Sequence, residues 1–369
     1  MMEMEYSWML GPFCKEAEAN PCLVPNGRSS FFCPVRQEKV AWEAKDVFNP
    51  AAVVRQDRVW LLYRAEDSVG KYAGTSRVGL AYSEDGLHFT TLSEPVLFPD
   101  GDDCRSLEWE GGCEDPRIVE TQDGRYFLYY TAYDGRVARL CCAESTDLMH
   151  WKKHGLLFGN ALDGKYAGLW SKSGAVVCRR EGEHFYPVKL QGVYWMYWGE
   201  SNIYAATSGD LIHWTPVEYT AEGSDPDCIN SFRNGDGGQD GAARVLLPVV
   251  FPRKGNYDEY LCEPGPQAVL TQDGIVLLYN GKGDNPKRLG GHDTMYQGGQ
   301  LLLDPQNPTC VISRTTRPFI SPTEPFELEG QVMPTCFLEG LVCFHGNYFL
   351  YYGTADSKVA VARFRACKQ

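Results

Sequence analysis

In the stretch Gly112-Cys113-Glu114-Asp115-Pro116-Arg117-Ile118, an acid, a proline and an arginine stand at the start of an apolar segment. A turn at Asp123-Gly124 then leads into the aromatic segment Tyr126-Phe127-Leu128-Tyr129-Tyr130. Two short apolar segments joined by an Asp-Gly turn are typical of a β-hairpin. We therefore predict two antiparallel strands here, with polar residues at the mouth of the first.

The same plan is found five times along the chain. Each copy has a polar or proline-marked start, an apolar strand, a turn, and a second strand that ends in aromatic residues. The copies occupy residues 48–64, 112–130, 172–200, 262–280 and 333–352. A loop with aspartate three residues before histidine also recurs, at His88, His150 and His213, and we interpret these histidines as structural. Repeats about 70 residues apart match four-stranded blades with long loops.

We predict an all-β protein, a five-bladed β-propeller. Capped helical patterns are nearly absent, whereas 38 glycines and 22 prolines separate short apolar segments. A closed ring of blades also leaves no long exposed strand edge. Residues 1–45 are expected to be a lead-in segment packed on the propeller, and residues 46–369 the catalytic propeller. The alternative fold is a two-sheet β-sandwich, which would not naturally produce five similar hairpins.

Composition narrows the function classes. A formal net charge of -13 argues against nucleic-acid or anionic-membrane partners, which need clustered positive charge. The first six residues lack the features of a signal peptide, so a cytoplasmic protein is expected. The 14 cysteines include no C-x-x-C pair, and most of them are interpreted as buried reduced thiols. Neither a metal nor an organic cofactor is expected.

In a propeller the first strand of each blade lines a central channel, so polar residues at the strand ends should converge there. Carboxylates beside aromatic residues suggest sugar chemistry, because glycosidic cleavage needs an acid and a base or nucleophile. For Arg64, Arg117 and Lys172, ion pairing with the acids is an equally simple interpretation. The candidate residues at these strand ends are Asn49, Arg64, Glu66, Asp115, Arg117, Tyr133, Lys172, Ser173, Glu200, Glu263, Asn280 and Thr335.

Several motifs together resemble glycoside hydrolase family 130 from about residue 45 to 365. They are Phe48-Asn49-Pro50-Ala51, Leu61-Leu62-Tyr63-Arg64-Ala65, Glu114-Asp115-Pro116-Arg117-Ile118, Tyr130-Thr131-Ala132-Tyr133-Asp134-Gly135 and Tyr351-Tyr352-Gly353-Thr354-Ala355-Asp356. The resemblance implies a five-bladed propeller acting on β-mannosides, either as a phosphorylase or as an inverting hydrolase.

The resemblance also implies residue roles. It makes Asp115 the general acid, which protonates the glycosidic oxygen through a mannose hydroxyl, and it makes Asn49, Arg64, Arg117 and Asp356 sugar-binding residues. We further expect neighbouring negative charge to raise the pKa of Asp115 and keep it protonated near neutrality.

The choice between the two reactions depends on three positions. The phosphorylase pattern has histidine after the fourth-blade tyrosine, whereas this chain has Asn280 there. Glu200 and Glu263 would repel phosphate and resemble residues of the hydrolase subgroup that cleaves β-1,2-linked mannosides. The sequence therefore predicts an inverting β-1,2-mannosidase, in which Glu200 or Glu263 activates a water and the other orients it. The acid and base carboxyl groups should lie about 6.5–9.5 Å apart, which leaves room for that water.

Three alternatives stay open. A β-mannoside phosphorylase would use Lys172, Arg64 or Arg117 to bind phosphate. A non-catalytic glycan-binding propeller and an arabinoside-cleaving enzyme are the others. Segments 160–170, 222–245 and 281–298 are expected to lie over the site, and the N-terminal segment leaves homo-oligomer formation open.

Overall fold

The computed structural model describes residues 4–72, 74–219, 245–246 and 248–365. Strands dominate these residues, which confirms the all-β prediction. Helical structure within them is limited to the short helices α1 (Arg105–Glu108) and α2 (Pro325–Leu328) and the 3-10 turns Ala161–Gly164 and Leu289–Gly291. Among the described residues, no helix is long and apolar enough to cross a bilayer.

The N-terminal segment forms three short strands, which are β1 (Cys14–Lys15), β2 (Phe31–Cys33) and β3 (Glu38–Val40). Strands β2 and β3 pair with each other as a hairpin. Strand β1 pairs antiparallel with the last strand of the chain, so the lead-in segment extends a sheet formed by the C-terminal residues.

Two antiparallel units follow and form one sheet. The first contains β4 (Asp46–Val54), β5 (Val59–Glu66), β6 (Ser76–Ser83) and β7 (Thr90–Thr91). The second contains β8 (Gly112–Glu120), β9 (Tyr126–Tyr133), β10 (Ala138–Ser145) and β11 (Lys152–Leu156). The two units meet where β6 and β8 pair in parallel at Ser76 and Gly112.

Three further units complete the described chain. The third contains β12 (Ala175–Glu181), β13 (His184–Pro187), β14 (Lys189–Leu190), β15 (Val193–Trp198), β16 (Ile203–Ser208), β17 (Trp214–Pro216), the pair β18 (Glu218–Tyr219) and β19 (Val245–Leu246), and β20 (Pro248–Val250). The fourth contains β21 (Leu261–Pro264), β22 (Ala268–Leu270), β23 (Ile275–Asp284), β24 (Thr294–Leu303) and β25 (Val311–Arg314). The fifth contains β26 (Phe337–Phe344), β27 (Asn347–Thr354) and β28 (Lys358–Arg365).

The five predicted hairpins are present as β4–β5, β8–β9, β12–β15, β22–β23 and β26–β27. In the first, Gln56 and Asp57 both have positive φ angles, as a two-residue hairpin turn requires. The fifth begins at Phe337 rather than at Met333, because the Thr335 side chain bonds back to the Met333 carbonyl in a turn. This pairing is consistent with a propeller-like fold, and a closed ring of five blades stays a prediction.

The repeated tyrosines occupy equivalent buried positions in the five units. Each lies on β5, β9, β15, β23 or β27, and its hydroxyl donates a hydrogen bond to a group outside its own hairpin. The pairs are Tyr63 to Glu43 (2.7 Å), Tyr130 to Glu108 (2.7 Å), Tyr197 to the Pro308 carbonyl (2.8 Å), Tyr279 to Asp258 (2.7 Å) and Tyr352 to Glu327 (2.9 Å). The aromatic repeat of the sequence therefore marks a repeated packing position, with its buried polar atom satisfied.

Candidate active site

The first long strand of three units is interrupted by a β-bulge at a polar residue. The pairing of β4 with β5 shifts at Asn49, and that of β8 with β9 shifts between Glu114 and Arg117, around Asp115. The pairing of β26 with β27 shifts at Glu339. A bulge re-aims the side chain that it carries. Asn49 and Asp115 meet as a result, with 2.9 Å between the Nδ2 donor and the Oδ1 acceptor.

Asp115 is only 4% exposed and is surrounded by positive charge. Arg64 Nη1 lies 3.1 Å from its Oδ1, and Lys172 Nζ lies 3.6 Å from its Oδ2. Burial raises the pKa of Asp115, but Arg64, Lys172 and the Asn49 hydrogen bond together hold that pKa below its ordinary range. The expectation of a raised pKa is therefore wrong, because the nearest charges are positive.

Arg64 binds three carboxylates at once. Its Nη2 lies 2.7 Å from Glu66 and 3.0 Å from Glu114, while Nη1 contacts Asp115. Burial acts to raise the pKa of Glu66, but the opposing effect of Arg64 and Lys45 is larger and lowers that pKa to about 2. Glu114 was not predicted as a site residue, although it stands next to Asp115 in the motif. These contacts neutralise much of the positive charge of Arg64 within the protein.

Lys172 lies among the predicted catalytic carboxylates. Burial lowers the pKa of its ammonium group, but Asp115, Glu114, Glu200 and Glu263 outweigh this and raise the pKa above its ordinary value. These carboxylates come from the second, third and fourth units of the chain. Lys172 Nζ thus lies 3.6 Å from Asp115 and 3.9 Å from Glu114, and Glu200 and Glu263 are near enough to act on its charge.

Glu263 is buried near the end of β21. The hydroxyl of Ser173 donates a hydrogen bond to its Oε1. Burial raises the pKa of Glu263 to about 7, and the charge of Glu200 adds to the rise while Lys172 opposes it. A carboxyl group with this pKa exchanges its proton near neutral pH.

Glu200 follows β15 and is more exposed than Glu263. The indole Nε1 of Trp170 donates a hydrogen bond of 2.6 Å to its Oε2. Trp170 belongs to segment 160–170, so part of that segment lies at the site as predicted. Of segment 222–245, residues 222–244 lie outside the described residues.

Arg117 contacts protein groups rather than open space. Its Nε donates to the Gly265 carbonyl at 2.8 Å, and its Nη2 donates to the Pro264 carbonyl at 3.1 Å. Its Nη1 lies 2.5 Å from Glu339, a fully buried carboxylate that the sequence analysis missed. Arg117 therefore ties β8 to β26 and to the chain that follows Glu263. It forms an ion pair, as the alternative supposed, but with Glu339 rather than with one of the predicted acids.

Asn280 also makes structural contacts. Its Nδ2 donates to the Leu338 carbonyl at 3.1 Å, and its Oδ1 accepts from the Leu338 amide at 2.7 Å. The side chain joins β23 to β26 and is fully buried. Tyr133, in contrast, is half-buried at the end of β9, between the rings of Tyr72 and Trp170.

Asp356 lies in the turn after β27, with a positive φ of 51°. Burial raises its pKa to about 7, and the charges of Asp115 and Glu66 add to the rise while Arg64 opposes it. Asp356 is therefore close to the Asp115 and Arg64 cluster, where the resemblance expected a sugar-binding residue.

Tyr296 on β24 is a site residue that the sequence did not reveal. Burial raises the pKa of its hydroxyl, and the charges of Glu263, Glu200 and Asp356 raise it further. Tyr296 therefore lies near enough to these three carboxylates to feel their charge. It belongs to none of the repeated motifs of the sequence.

The cluster combines ionised and protonatable carboxyl groups, a buried ammonium group and aromatic side chains. Such a set can donate and accept protons and can hydrogen-bond the hydroxyls of a neutral sugar. In the described part of the chain, no group of three or more His, Cys, Asp and Glu side chains is arranged to hold a metal ion.

Comparison with known proteins agrees with this chemistry. A sequence model of glycoside hydrolase family 130, described as beta-1,4-mannooligosaccharide phosphorylase, matches residues 20–227 and 243–368. The chain is also similar to a 1,2-beta-oligomannan phosphorylase from Thermoanaerobacter sp. (strain X514). The two are 29% identical over 331 residues, which cover 87% of this chain and 90% of that protein.

Two solved structures are more similar in sequence. A glycosyl hydrolase from Bacteroides ovatus superposes with a TM-score of 0.88 at 42% identity, covering 99% of this chain and 98% of that one. The other comes from work reporting that the GH130 family of mannoside phosphorylases contains glycoside hydrolases that target β-1,2 mannosidic linkages in Candida mannan. It superposes with a TM-score of 0.88 at 41% identity, covering 98% of this chain and 96% of that one.

Proposed function

This chain belongs to glycoside hydrolase family 130, and we propose that it is an inverting β-mannosidase that releases mannose from β-1,2-linked manno-oligosaccharides. The observation that carries the proposal is the set of carboxylates around Lys172, formed by Asp115, Glu114, Glu200 and Glu263. Similarity at 41% identity to a structure from work on hydrolases of β-1,2 mannosidic linkages supports the choice of substrate.

The charges in the site favour water over phosphate as the attacking group. Phosphorolysis needs positive charge for a bound anion. Arg64 already contacts three carboxylates, and Arg117 contacts Glu339 and backbone carbonyls. Lys172 is itself surrounded by acids. A phosphate beside Glu200 and Glu263 would meet net repulsion, whereas a water molecule needs only a base and a hydrogen-bond acceptor.

In the proposed reaction, a water oxygen forms a bond to the anomeric carbon of mannose while the bond to the leaving-group oxygen breaks. The base removes a proton from the water, and the acid supplies one to the leaving oxygen, directly or through a sugar hydroxyl. Attack from the opposite face inverts the anomeric configuration, so the β-linked substrate gives α-mannose. The atoms and protons balance without any cofactor.

We assign Glu263 as the base and Glu200 as the residue that orients the water. A general base works best when its pKa lies near the operating pH, and burial raises the pKa of Glu263 to about 7. The Trp170 N–H holds one oxygen of Glu200 and leaves the other for a solvent molecule.

Asp115 is assigned as the acid through the family resemblance. In this structure Arg64 and Lys172 hold its pKa below the ordinary range, so it is ionised. As the acid, it needs a bound sugar that separates its carboxylate from one of these cations, since its pKa then rises toward neutrality.

Phosphorolysis is the second candidate, and the curated relative favours it over hydrolysis, because that protein is a 1,2-beta-oligomannan phosphorylase. The family description also names a phosphorylase, and for β-1,4-linked substrates. In this reading Lys172 would contact the phosphate after Asp115 or Glu114 is protonated.

The two reactions are separated by treating β-1,2-mannobiose and β-1,4-mannobiose with the purified enzyme, with and without inorganic phosphate. The products and the first anomer formed are followed by NMR. We expect mannose from the β-1,2-linked substrate, first as the α-anomer, at a rate independent of phosphate. Mannose 1-phosphate that forms only when phosphate is present would overturn hydrolysis in favour of phosphorolysis.

Two variants separate catalysis from simple sugar binding. Asp115→Asn and Glu263→Gln keep side-chain shape and remove the proposed proton transfers, so each should retain sugar binding and lose turnover. A non-catalytic glycan-binding protein would show no wild-type turnover to lose.

A further inference from the structure

Three aromatic side chains form a row at the edge of the candidate site. The ring centroids of Tyr72 and Tyr133 lie 6.2 Å apart, and those of Tyr133 and Trp170 lie 6.4 Å apart. Tyr72 is 37% exposed and Trp170 is 46% exposed. We call these three residues the aromatic row. Exposed apolar side chains that lie together beside a polar site can mark a ligand-binding groove.

The row begins at a predicted catalytic carboxylate. The Trp170 indole N–H donates a hydrogen bond of 2.6 Å to Glu200, and Tyr133 is the last residue of β9. Tyr72 lies farther along, in the loop between β5 and β6. A chain of sugar units that reaches from Glu200 outward would therefore pass the three rings in turn.

The surrounding backbone leaves space for these rings. A Cβ atom added at Gly111 would lie 2.2 Å from the ring of Tyr133, and one added at Gly135 would lie 2.3 Å from the ring of Tyr72. Because neither glycine has a side chain, the rings of Tyr133 and Tyr72 pack directly against the backbone at Gly111 and Gly135. Lys71 Nζ also stands 5.0 Å from the centroid of the Tyr72 ring. The rings are held by their neighbours and are not loose surface side chains.

We propose that the aromatic row binds sugar units of the oligosaccharide beyond the two that flank the cleaved bond. The inference rests on the proposed function for the identity of the sugar. Pyranose rings have apolar C–H faces that can cover aromatic rings, which bury large apolar areas at small entropic cost. The acids nearby disfavour an anionic ligand and suit a neutral one. The enzyme should therefore prefer manno-oligosaccharides of three or more units to the disaccharide.

The test compares kcat/KM for β-1,2-mannobiose and β-1,2-mannotetraose in the wild type and in Tyr72→Ala. Tyr72 contacts the ring of Tyr133 and the ammonium group of Lys71, so its removal probes the row apart from the catalytic carboxylates. The wild type should favour the tetraose. The ratio of the two kcat/KM values should fall about three- to tenfold in Tyr72→Ala, as loss of one aromatic contact predicts.

Two further variants control the comparison. Tyr82→Ala removes a partly buried tyrosine from the opposite end of β6, where it packs on Trp60 at 5.3 Å, and the wild-type ratio should persist. Trp170→Phe keeps an aromatic ring and removes the N–H that binds Glu200. It should lower kcat for both substrates by a similar factor and leave the ratio nearly intact.

The outcomes separate the aromatic row from the proposed function. If the ratio of the two kcat/KM values in Tyr72→Ala equals that of the wild type, the proposed role of the aromatic row is wrong, while the proposed hydrolase activity is unaffected. If no manno-oligosaccharide is cleaved, the proposed function fails, and calorimetric titration with neutral linear β-linked manno-, gluco- and xylo-oligosaccharides decides the row. Affinity that rises with oligosaccharide length and is lost in Tyr72→Ala would support binding at the aromatic row. If none of the three oligosaccharide series binds more tightly as its chain lengthens, the proposal is overturned.

Discussion

The carboxyl groups that share Lys172 differ in their affinity for protons. Asp115 lies close to two cations and an amide donor, so its pKa falls below the ordinary range. Burial raises the pKa of Glu263 to about 7, and the charge of Glu200 adds to the rise, while Lys172 and the Ser173 hydroxyl oppose it. Groups whose surroundings separate their pKa values in this way are suited to different roles in proton transfer.

We predict that activity falls as the pH drops below about 7. As the base, Glu263 must be ionised, and protonation below its pKa of about 7 removes the acceptor of the proton from water. The measurement is the pH dependence of kcat/KM. Glu263→Gln should lower kcat by about 10²- to 10⁴-fold and abolish this acidic limb.

Stability should change in the opposite direction. Between the ordinary pKa of 4.5 and about 7, the folded protein holds a proton at Glu263 that the unfolded chain has released. The contribution of this group to stability therefore falls as pH rises through this interval, while activity rises.

The pH dependence of kcat/KM also has a contradicting outcome. If the residual activity of Glu263→Gln still falls below pH 7, the fall is due to Asp356, whose pKa is also about 7, and not to Glu263.

At the scale of single elements, the hairpins were predictable and the directions of their side chains were not. Apolar and aromatic segments joined by turn residues specify a strand pair locally, and all five pairs are present. The bulges at Asn49 and Glu339 depend on register between strands, which no local pattern reports. Sequence reasoning therefore placed Asp115 correctly in a cluster but missed Glu339.

Charges brought by distant elements were equally hidden. The pKa of Asp115 depends on Arg64 and Lys172, which come from other units. The direction of its pKa shift could therefore not be obtained from the Asp-Pro-Arg motif. Tyr296 lies on β24, outside the repeated motifs of the sequence. Predicting either requires knowing how the units meet.

The backbone of β27 leaves space for the side chain of Asn49. A Cβ atom at Gly353 would lie 2.1 Å from Asn49 Oδ1, and Asn49 in turn donates to Asp115. We predict that Gly353→Ala displaces Asn49, lowers kcat and reduces the free energy of unfolding by about 1–3 kcal/mol. Urea denaturation and steady-state kinetics measure the two effects.

The matched control is Gly209→Ala, because a Cβ atom there would have no atom within 4 Å. It should leave both quantities unchanged. Wild-type kinetics and stability in Gly353→Ala would show that the Asn49 side chain has another position available, and that its contact with Asp115 is dispensable.

At the scale of the whole molecule, the site exists only because distant units meet. Asn49 and Arg64 come from the first unit, Asp115 from the second, Glu200 from the third and Glu263 from the fourth. Contacts such as that between Arg117 and Glu339 connect the second unit to the fifth. The geometry of the carboxylates therefore depends on how firmly the units are held together.

The N-terminal segment contributes to this connection through Lys15. Strand β1 extends the sheet of the fifth unit, and Lys15 Nζ lies 2.6 Å from Glu327, whose side chain is fully buried. The same ammonium group donates to the Ser321 carbonyl at 2.8 Å. Glu327 also accepts from Tyr352, the repeated buried tyrosine of the fifth unit. Lys15 thus compensates the buried negative charge of Glu327, which is hydrogen-bonded to the core residue Tyr352.

We predict that Lys15→Met reduces the free energy of unfolding by about 1–3 kcal/mol, because Glu327 then stays buried without its cation. Urea denaturation of the full chain measures the change. Arg58→Met is the matched control, since it breaks an exposed ion pair with Glu84 and should cost less than about 1 kcal/mol. If the two variants lose equal stability, the buried hydrogen bonds to Glu327 suffice to hold its charge. Lys15 would then contribute no more to stability than an exposed cation does, and the N-terminal segment would be held by the pairing of β1 with β28 rather than by this ion pair.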